Sequence, residues 1–84
     1  MPSYPIRNAK GVGAAIRHAR TARGIRQEDL AAQLGIRPAY LVAIEKGAPT
    51  LWATRVFRAF ARLGITVTVS FDVPGEADTE GRDG

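Results

Sequence analysis

Two short helical segments joined by a very short connection constrain the fold of this chain more than any other feature of its sequence. The first segment begins near Gln27, and Gly35 ends it. The second opens with Pro38, whose fixed φ and missing N–H suit a first helical position, and Gly47 ends it. Because only residues 35–37 separate them, the two helices must meet at a tight turn.

A longer helix is predicted on either side of this pair. Before it, apolar residues recur at helical spacing from Asn8, a residue typical of N-caps, to Gly24. After it, Thr50 can cap a helix that continues through apolar positions to Gly64. The sequence therefore predicts four helices.

One segment, residues 65–71, alternates apolar and polar residues as a strand does. Its apolar side is formed by Ile65, Val67, Val69 and Phe71. Residues 1–8, with Pro2 and Pro5, are interpreted as a flexible arm, so no second strand is expected in the chain. A lone strand leaves its backbone N–H and C=O groups unpaired. We therefore predict a homodimer in which the strand pairs antiparallel with its copy across a two-fold axis.

Charge is unevenly distributed along the 84 residues. Twelve basic and eight acidic side chains give a net charge of +4, but four of the acids lie near the end: Glu76, Asp78, Glu80 and Asp83. Residues 1–75 consequently carry 11 basic and 4 acidic side chains, or +7. We interpret residues 73–84 as a disordered acidic tail. The basic remainder is one small domain that suits a polyanion such as nucleic acid.

Several classes of protein are disfavoured by what the sequence lacks. Without cysteine there is neither a disulfide framework nor a thiolate metal site, and the single histidine, His18, has too few companion ligands to hold zinc. No nucleophile, base or metal constellation points to an enzyme, and no cofactor is expected. In the absence of a long apolar run or a signal peptide, we expect a cytoplasmic protein with no membrane partner.

The stretch from Gly24 to Gly47 resembles the Cro/C1-type (XRE) family of bacterial and phage helix-turn-helix regulators. It contains the typical Gln-x-x-Leu-Ala-x-x-Leu-Gly run, starting at Gln27, and the closing Ile-Glu-Lys-Gly. The resemblance extends over residues 11–64. It implies a mainly α, lambda-repressor-like DNA-binding domain of four helices. We assign residues 9–72 to this domain, including the dimerisation strand at residues 65–71. The resemblance also implies binding to double-stranded DNA at a palindromic operator in a bacterial or phage cytoplasm.

Four helices followed directly by an apolar strand are similar to the HipB-type antitoxins. That likeness implies a dimeric repressor that autoregulates its own operon and binds a HipA-type kinase toxin. Two alternatives stay open at this point. One is a stand-alone phage or chromosomal repressor without a toxin. The other is a protein-binding neutraliser whose DNA binding is weak.

The resemblance assigns DNA contacts by position to the second and third helices. The residues concerned are Gln27, Arg37, Pro38, Ala39, Tyr40, Ala43 and Lys46. Positions that usually hold Gln, Ser, Asn or Arg in the family are here Pro38, Ala39 and Ala43, which cannot form bidentate hydrogen bonds with bases. Direct reading of sequence therefore concentrates on Arg37, whose guanidinium can bind guanine O6 and N7.

Other residues have roles that the sequence constrains less. Gln27 is expected to meet the DNA backbone, whereas the resemblance implies that Arg20 forms a structural ion pair with Glu45. Trp52 is expected at the edge of the core or of the dimer. Three arginines of the last helix form one stripe that can face DNA, a partner or solvent: Arg55, Arg58 and Arg62. At the end of the arm, Arg7 and Lys10 can reach phosphates.

Overall fold

Four helices and two short strands make up residues 1–74, the part of the chain that the computed structural model describes. In chain order they are β1 (Ser3–Ile6), α1 (Ala9–Ala22), α2 (Gln27–Leu34), α3 (Pro38–Glu45), α4 (Leu51–Leu63) and β2 (Val67–Ser70). The four predicted helices are confirmed. The predicted acidic tail lies, from residue 75 onward, outside the described residues. Within residues 1–74 no helix combines the length and the apolarity needed to cross a membrane.

Both predicted N-caps are present. The Asn8 Oδ1 accepts a hydrogen bond from the Gly11 N–H at 2.8 Å, and the Thr50 Oγ1 accepts one from the Ala53 N–H at 3.0 Å. Each bond satisfies one of the donors that the first turn of a helix leaves unpaired. At its other end α4 stops at Gly64, whose φ of +72° is a left-handed conformation that favours glycine. Local capping therefore sets both ends of α4.

The N-terminal segment contains a strand, which corrects its interpretation as a flexible arm over residues 1–8. β1 pairs antiparallel with β2, with Ile6 opposite Val67. The expectation that the chain holds no second strand was therefore wrong. Since β2 already has a partner in its own chain, an unpaired strand is no longer a reason to expect a dimer.

Pro5 is tolerated in β1 because of its position in the ladder. The Phe71 N–H donates to the Pro2 carbonyl oxygen at 3.3 Å, and hydrogen-bonded and non-hydrogen-bonded pairs alternate along antiparallel strands. Pro5, opposite Thr68, therefore occupies a position where β2 needs no N–H from it. The prolines that suggested an irregular arm are compatible with an edge strand.

An aromatic cluster places the small sheet against α1. The His18 ring lies edge-on to Phe71 with centroids 4.7 Å apart, and nearly parallel to the Tyr4 ring at 6.4 Å. Val67 and Val69 are half-buried on a strand that pairs with β1. Three of the four side chains predicted for dimerisation, those of Val67, Val69 and Phe71, are thus half-buried within the single chain.

The core lies between α1, α2 and α3. Leu41 of α3 and Ala31 of α2 are buried, with 1% and 0% of their surface exposed. At Gly13, α1 approaches α3 so closely that a Cβ would collide with the Ile44 carbonyl oxygen. A glycine inside a helix costs about 0.5–1 kcal/mol relative to alanine, so this residue is explained by the close packing that it permits. α4, by contrast, contributes no buried residue.

Candidate DNA interface

The turn between α2 and α3 is built from local backbone interactions. Gly35 adopts a φ of +69°, and its N–H donates to the Ala32 carbonyl oxygen at 3.2 Å. The Ile36 N–H donates to the Ala31 carbonyl oxygen at 3.0 Å, which completes a Schellman motif. Pro38 then occupies the first turn of α3. The predicted helix-turn-helix is confirmed, with α3 as its second helix.

α3 buries one side and presents the other. Leu41 and Glu45 belong to the inner side, with 1% and 7% of their surface exposed. The residues of α3 and its ends that were predicted to face DNA are on the accessible side. Arg37, Pro38, Ala39, Tyr40 and Lys46 are exposed, and Ala43 is half-buried. The structure thus brings six of the seven predicted residues together around α3, where a ligand can reach them.

A buried ion pair ties α3 to α1. The Arg20 Nε donates to the Glu45 Oε2 at 2.6 Å and its Nη2 donates to the Oε1 at 2.9 Å, so the pair is bidentate. The Arg20 Nη1 donates to the Ile25 carbonyl oxygen at 2.7 Å. Only 11% of the Arg20 side chain and 2% of the Glu45 side chain are exposed, so water screens the pair little. The predicted structural role of Arg20 is confirmed.

Gln27, the seventh predicted residue, joins this pair. Its Nε2 donates to the Glu45 Oε1 at 3.0 Å. The hydrogen bonds from Arg20, assisted by the one from Gln27, hold the pKa of Glu45 below its ordinary value, although burial opposes the shift. The side chain expected at the DNA backbone therefore fixes α2 against α3, and it has one amide hydrogen and its carbonyl oxygen left for a ligand.

The surface around α3 offers few carboxylates to oppose an anion. The acids of residues 1–74 are Glu28, Asp29, Glu45 and Asp72. Arg26 lies 3.1 Å from Glu28 and 3.0 Å from Asp29, while Arg20 pairs with Glu45. Nine further cations have no carboxylate partner among the described residues: Arg7, Lys10, Arg17, Arg23, Arg37, Lys46, Arg55, Arg58 and Arg62. This excess of positive charge suits a polyanion.

Sequence reasoning did not select one basic residue that lies beside the site. Arg17 and Lys46 line one cleft together with Gln27 and Glu45. Arg17, Lys46 and Lys10 line a neighbouring cleft. The available signal was the helical spacing of positions 10 and 17, which lie two turns apart on the same face of α1.

A second accessible surface is apolar and lies on α4. Trp52 and Leu63 are 75% and 72% exposed, and Ile65, just beyond the helix, is 46% exposed. Trp52, Val56, Ala59 and Leu63 follow one another at spacings of four, three and four residues, so they form one stripe, which we call the α4 stripe. Trp52 therefore lies outside the core of the single chain. Exposed apolar stripes are typical of surfaces that contact another protein.

Comparison with known proteins gives matches over most of the chain. A family model described as helix-turn-helix matches residues 16–69, from the middle of α1 into β2. The chain is also 30% identical over 71 residues to a protein of Sinorhizobium fredii (strain NBRC 101917 / NGR234) named an uncharacterized HTH-type transcriptional regulator, y4mF. That match covers 84% of this chain and 91% of the relative. No solved structure gives a significant match to this chain.

Proposed function

Because this chain belongs to the Cro/C1-type helix-turn-helix family of transcriptional regulators, we propose that it is a dimeric repressor that binds a palindromic operator in double-stranded DNA. The observation that carries the proposal is the exposed side of α3, where Arg37, Ala39 and Tyr40 stand clear of the core. Nearby carboxylates are already paired with arginines. In the proposed complex α3 lies in the major groove with its first turn against the base edges.

Arg37 supplies the direct reading of sequence in this proposal. It is the N-cap residue of α3 and it is exposed, so its guanidinium is available to guanine O6 and N7. Ala39 contacts a thymine methyl group, and the Tyr40 hydroxyl donates to a phosphate. Pro38 and Ala43 add apolar contact without hydrogen bonds. The remaining specificity comes from the shape of the operator and the spacing of its half-sites.

Two further residues hold the DNA backbone in the proposed complex. Lys46 follows α3 and is exposed, so it provides a cation for a phosphate. Gln27 lies at the start of α2, where its second amide hydrogen and the free N–H groups of the first turn can donate to a phosphate oxygen. Since Gln27 also donates to Glu45, its contact with DNA depends on the buried ion pair.

The proposed dimer uses the α4 stripe and the free edge of β2. β2 pairs with β1 on one side only, so its other edge can pair with β2 of a second copy and give four strands. Ile65 and the α4 stripe adjoin that edge in sequence; Ile65, Trp52 and Leu63 are exposed in the single chain, and Val56 is half-buried. A contact between identical surfaces relates two copies by a two-fold axis, which is the symmetry of a palindromic operator.

A finer proposal is that the repressor is the antitoxin of a HipBA-like module, which autoregulates its operon and binds a HipA-type kinase toxin. The order of elements supports it, because four helices are followed directly by a strand. Gene order and binding test it together. We expect a kinase gene next to this one, and we expect the purified kinase to bind this protein in a pull-down assay. If neither is found, the stand-alone repressor is the better description.

Gel retardation with the DNA upstream of the protein's own gene tests the repressor. We expect a discrete complex at low salt that weakens steeply as the salt concentration rises. Unlabelled promoter DNA should displace the labelled DNA from the complex at a lower concentration than random duplex of equal length does. Absence of retardation at low salt would remove the repressor from consideration.

The second candidate is a neutraliser of another protein with weak DNA binding. One observation favours it: the exposed part of α3 carries Pro38 and Ala39, with Ala43 beside them, and none of these side chains can hydrogen-bond a base. Retardation that is weak and equal on promoter and random DNA is the outcome expected for this candidate.

A further inference from the structure

A cleft of about 490 Å³ lies between the start of α1 and the first half of α4. Three cationic side chains line it, Arg7, Lys10 and Arg58, and none of its lining residues is acidic. All three cations are exposed, and none has a carboxylate partner within residues 1–74. Like charges gathered around one opening favour an anionic ligand.

This cleft is continuous with the surface beside α3. Lys10 also lines a second cleft, together with Arg17 and Lys46. Arg17 and Lys46 in turn line a third cleft, which reaches Gln27 at the start of α2. The shared lining residues connect five cations into one surface, which we call the α1 track: Arg58, Arg7, Lys10, Arg17 and Lys46.

The α1 track keeps a net positive charge. Among the described residues Glu45 is the carboxylate that lines it; Glu45 attracts Arg17, but its side chain is 2% exposed and is hydrogen-bonded by Arg20 and Gln27. Lys10 and Arg17 are seven residues apart, which is about 10 Å along the axis of α1. Along one strand of a duplex the phosphates are spaced by roughly 3.4 Å of the helix axis, so a backbone that runs along this part of α1 offers phosphates to both cations.

The α1 track is held in a fixed position relative to α3. Gly47, just after α3, has a φ of +79°, and a Cβ there would collide with the Lys10 Cα. Farther along α1, Gly13 makes the same kind of close approach to the Ile44 carbonyl oxygen. Two backbone contacts therefore join α1 to the end of α3, so a duplex that meets α3 has a defined relation to the track.

We propose that the α1 track binds the phosphate backbone of duplex DNA next to the half-site that α3 occupies. This inference rests on the proposed function and extends it beyond the helix-turn-helix. Contacts to phosphates fix the register of a protein on a duplex without reading its bases. The track therefore supplies salt-dependent affinity, whereas the exposed side of α3 supplies the discrimination between sequences.

The salt dependence of binding by two double variants tests the track. Lys10→Gln with Arg17→Gln removes two cations of the track. Arg23→Gln with Arg62→Gln removes two exposed cations that line none of the three clefts, and it changes the net charge equally. Fluorescence anisotropy follows binding to a duplex selected from a random pool and to an unselected one, between about 50 and 200 mM salt. Thermal unfolding checks that both variants keep the wild-type midpoint.

For the track variant we expect the slope of log K against log salt concentration to fall in magnitude by about 1.8 per protomer, since each phosphate contact contributes about 0.9. The ratio of selected to unselected affinity should stay at its wild-type value. Equal slopes for the two double variants would contradict phosphate binding by the α1 track without contradicting the proposed function. If the wild-type protein selects and binds no duplex, the proposed function fails, and the track fails with it.

Discussion

The two parts of the described chain differ in how far they bury their own side chains. α1, α2 and α3 enclose Ala31 and Leu41 and close their polar contacts around Glu45. α4 has no buried residue and leaves Trp52 and Leu63 exposed at 75% and 72%. The difference indicates that α1, α2 and α3, which we call the three-helix unit, bury their core side chains within one chain. The α4 stripe stays largely exposed, and we attribute its burial to the second copy of the proposed dimer.

The largest expected effect comes from removing one partner of the buried ion pair that joins α1 to α3. Glu45→Gln leaves the Arg20 guanidinium without its carboxylate in a site that is nearly closed to water. We expect the free energy of unfolding to fall by about 3–5 kcal/mol, as measured by urea denaturation. Glu28→Gln is the control, because Glu28 pairs with Arg26 on the surface and is 63% exposed. A similar loss in both variants would contradict a special role for the buried pair.

The same pair predicts a loss of stability in acid. Arg20, assisted by Gln27, holds the pKa of folded Glu45 below its ordinary value of 4.5, so the unfolded chain takes up this proton first as the pH falls. The stabilisation is therefore fully present above the ordinary pKa and is lost as the pH drops through the folded pKa. In thermal unfolding from about pH 7 to pH 3, the difference between wild type and Glu45→Gln should shrink. A constant difference would mean that Glu45 is not the group responsible.

A charge placed on the α4 stripe tests whether this stripe is buried in a dimer. Leu63 is exposed in the single chain, so Leu63→Asp should leave the monomer folded, but in the proposed dimer it would bury a carboxylate. We expect the dissociation constant of the dimer to rise about 30-fold, which corresponds to about 2 kcal/mol, in sedimentation equilibrium. Gln33→Asp, at an exposed position of α2, adds the same charge and should stay dimeric. A wild-type protein that is monomeric at micromolar concentration would remove the dimer altogether.

The sequence revealed the local features of the fold more readily than the distant ones. The caps at Asn8 and Thr50 depend on residues three positions away, and both were predicted. β1 was missed because Pro2 and Pro5 argue locally against a strand, while its partner lies at the other end of the described chain. Only the register, which gives Pro5 a position that needs no N–H, resolves the conflict.

The sequence predicted where the residues of the candidate site lie better than it predicted which of them form hydrogen bonds with one another. Resemblance to a known family gives both the residues of α3 expected to face DNA and the pair of Arg20 with Glu45. The hydrogen bond from Gln27 to Glu45 depends on how two helices cross, which spacing does not determine. Arg17 was not selected because a cation on a helix surface is ordinarily solvated, and the cleft that it shares with Lys46 became evident only in the structure.

The smallest expected effects distinguish sequence discrimination from overall DNA affinity, and they come from two residues at the ends of α3. Arg37→Ala is expected to cost about 1–3 kcal/mol of discrimination at one base position in each half-site, because Pro38, Ala39 and Ala43 offer no bidentate donor to replace it. Lys46→Ala should weaken binding to all duplexes alike and lower the salt slope by about 0.9 per protomer. Anisotropy titrations on the selected duplex, its single-base variants and an unselected duplex measure both.

Neither substitution touches the α4 stripe, so both variants should sediment as the wild type does. A loss that is equal on selected and unselected DNA for Arg37→Ala would place the reading of sequence outside the first turn of α3. The exposed part of α3 would then be a surface for protein or for the DNA backbone. The protein would then have two surfaces available to partner proteins, α3 and the α4 stripe, and the difference in burial between α1–α3 and α4 would no longer correspond to a division between DNA binding and dimerisation.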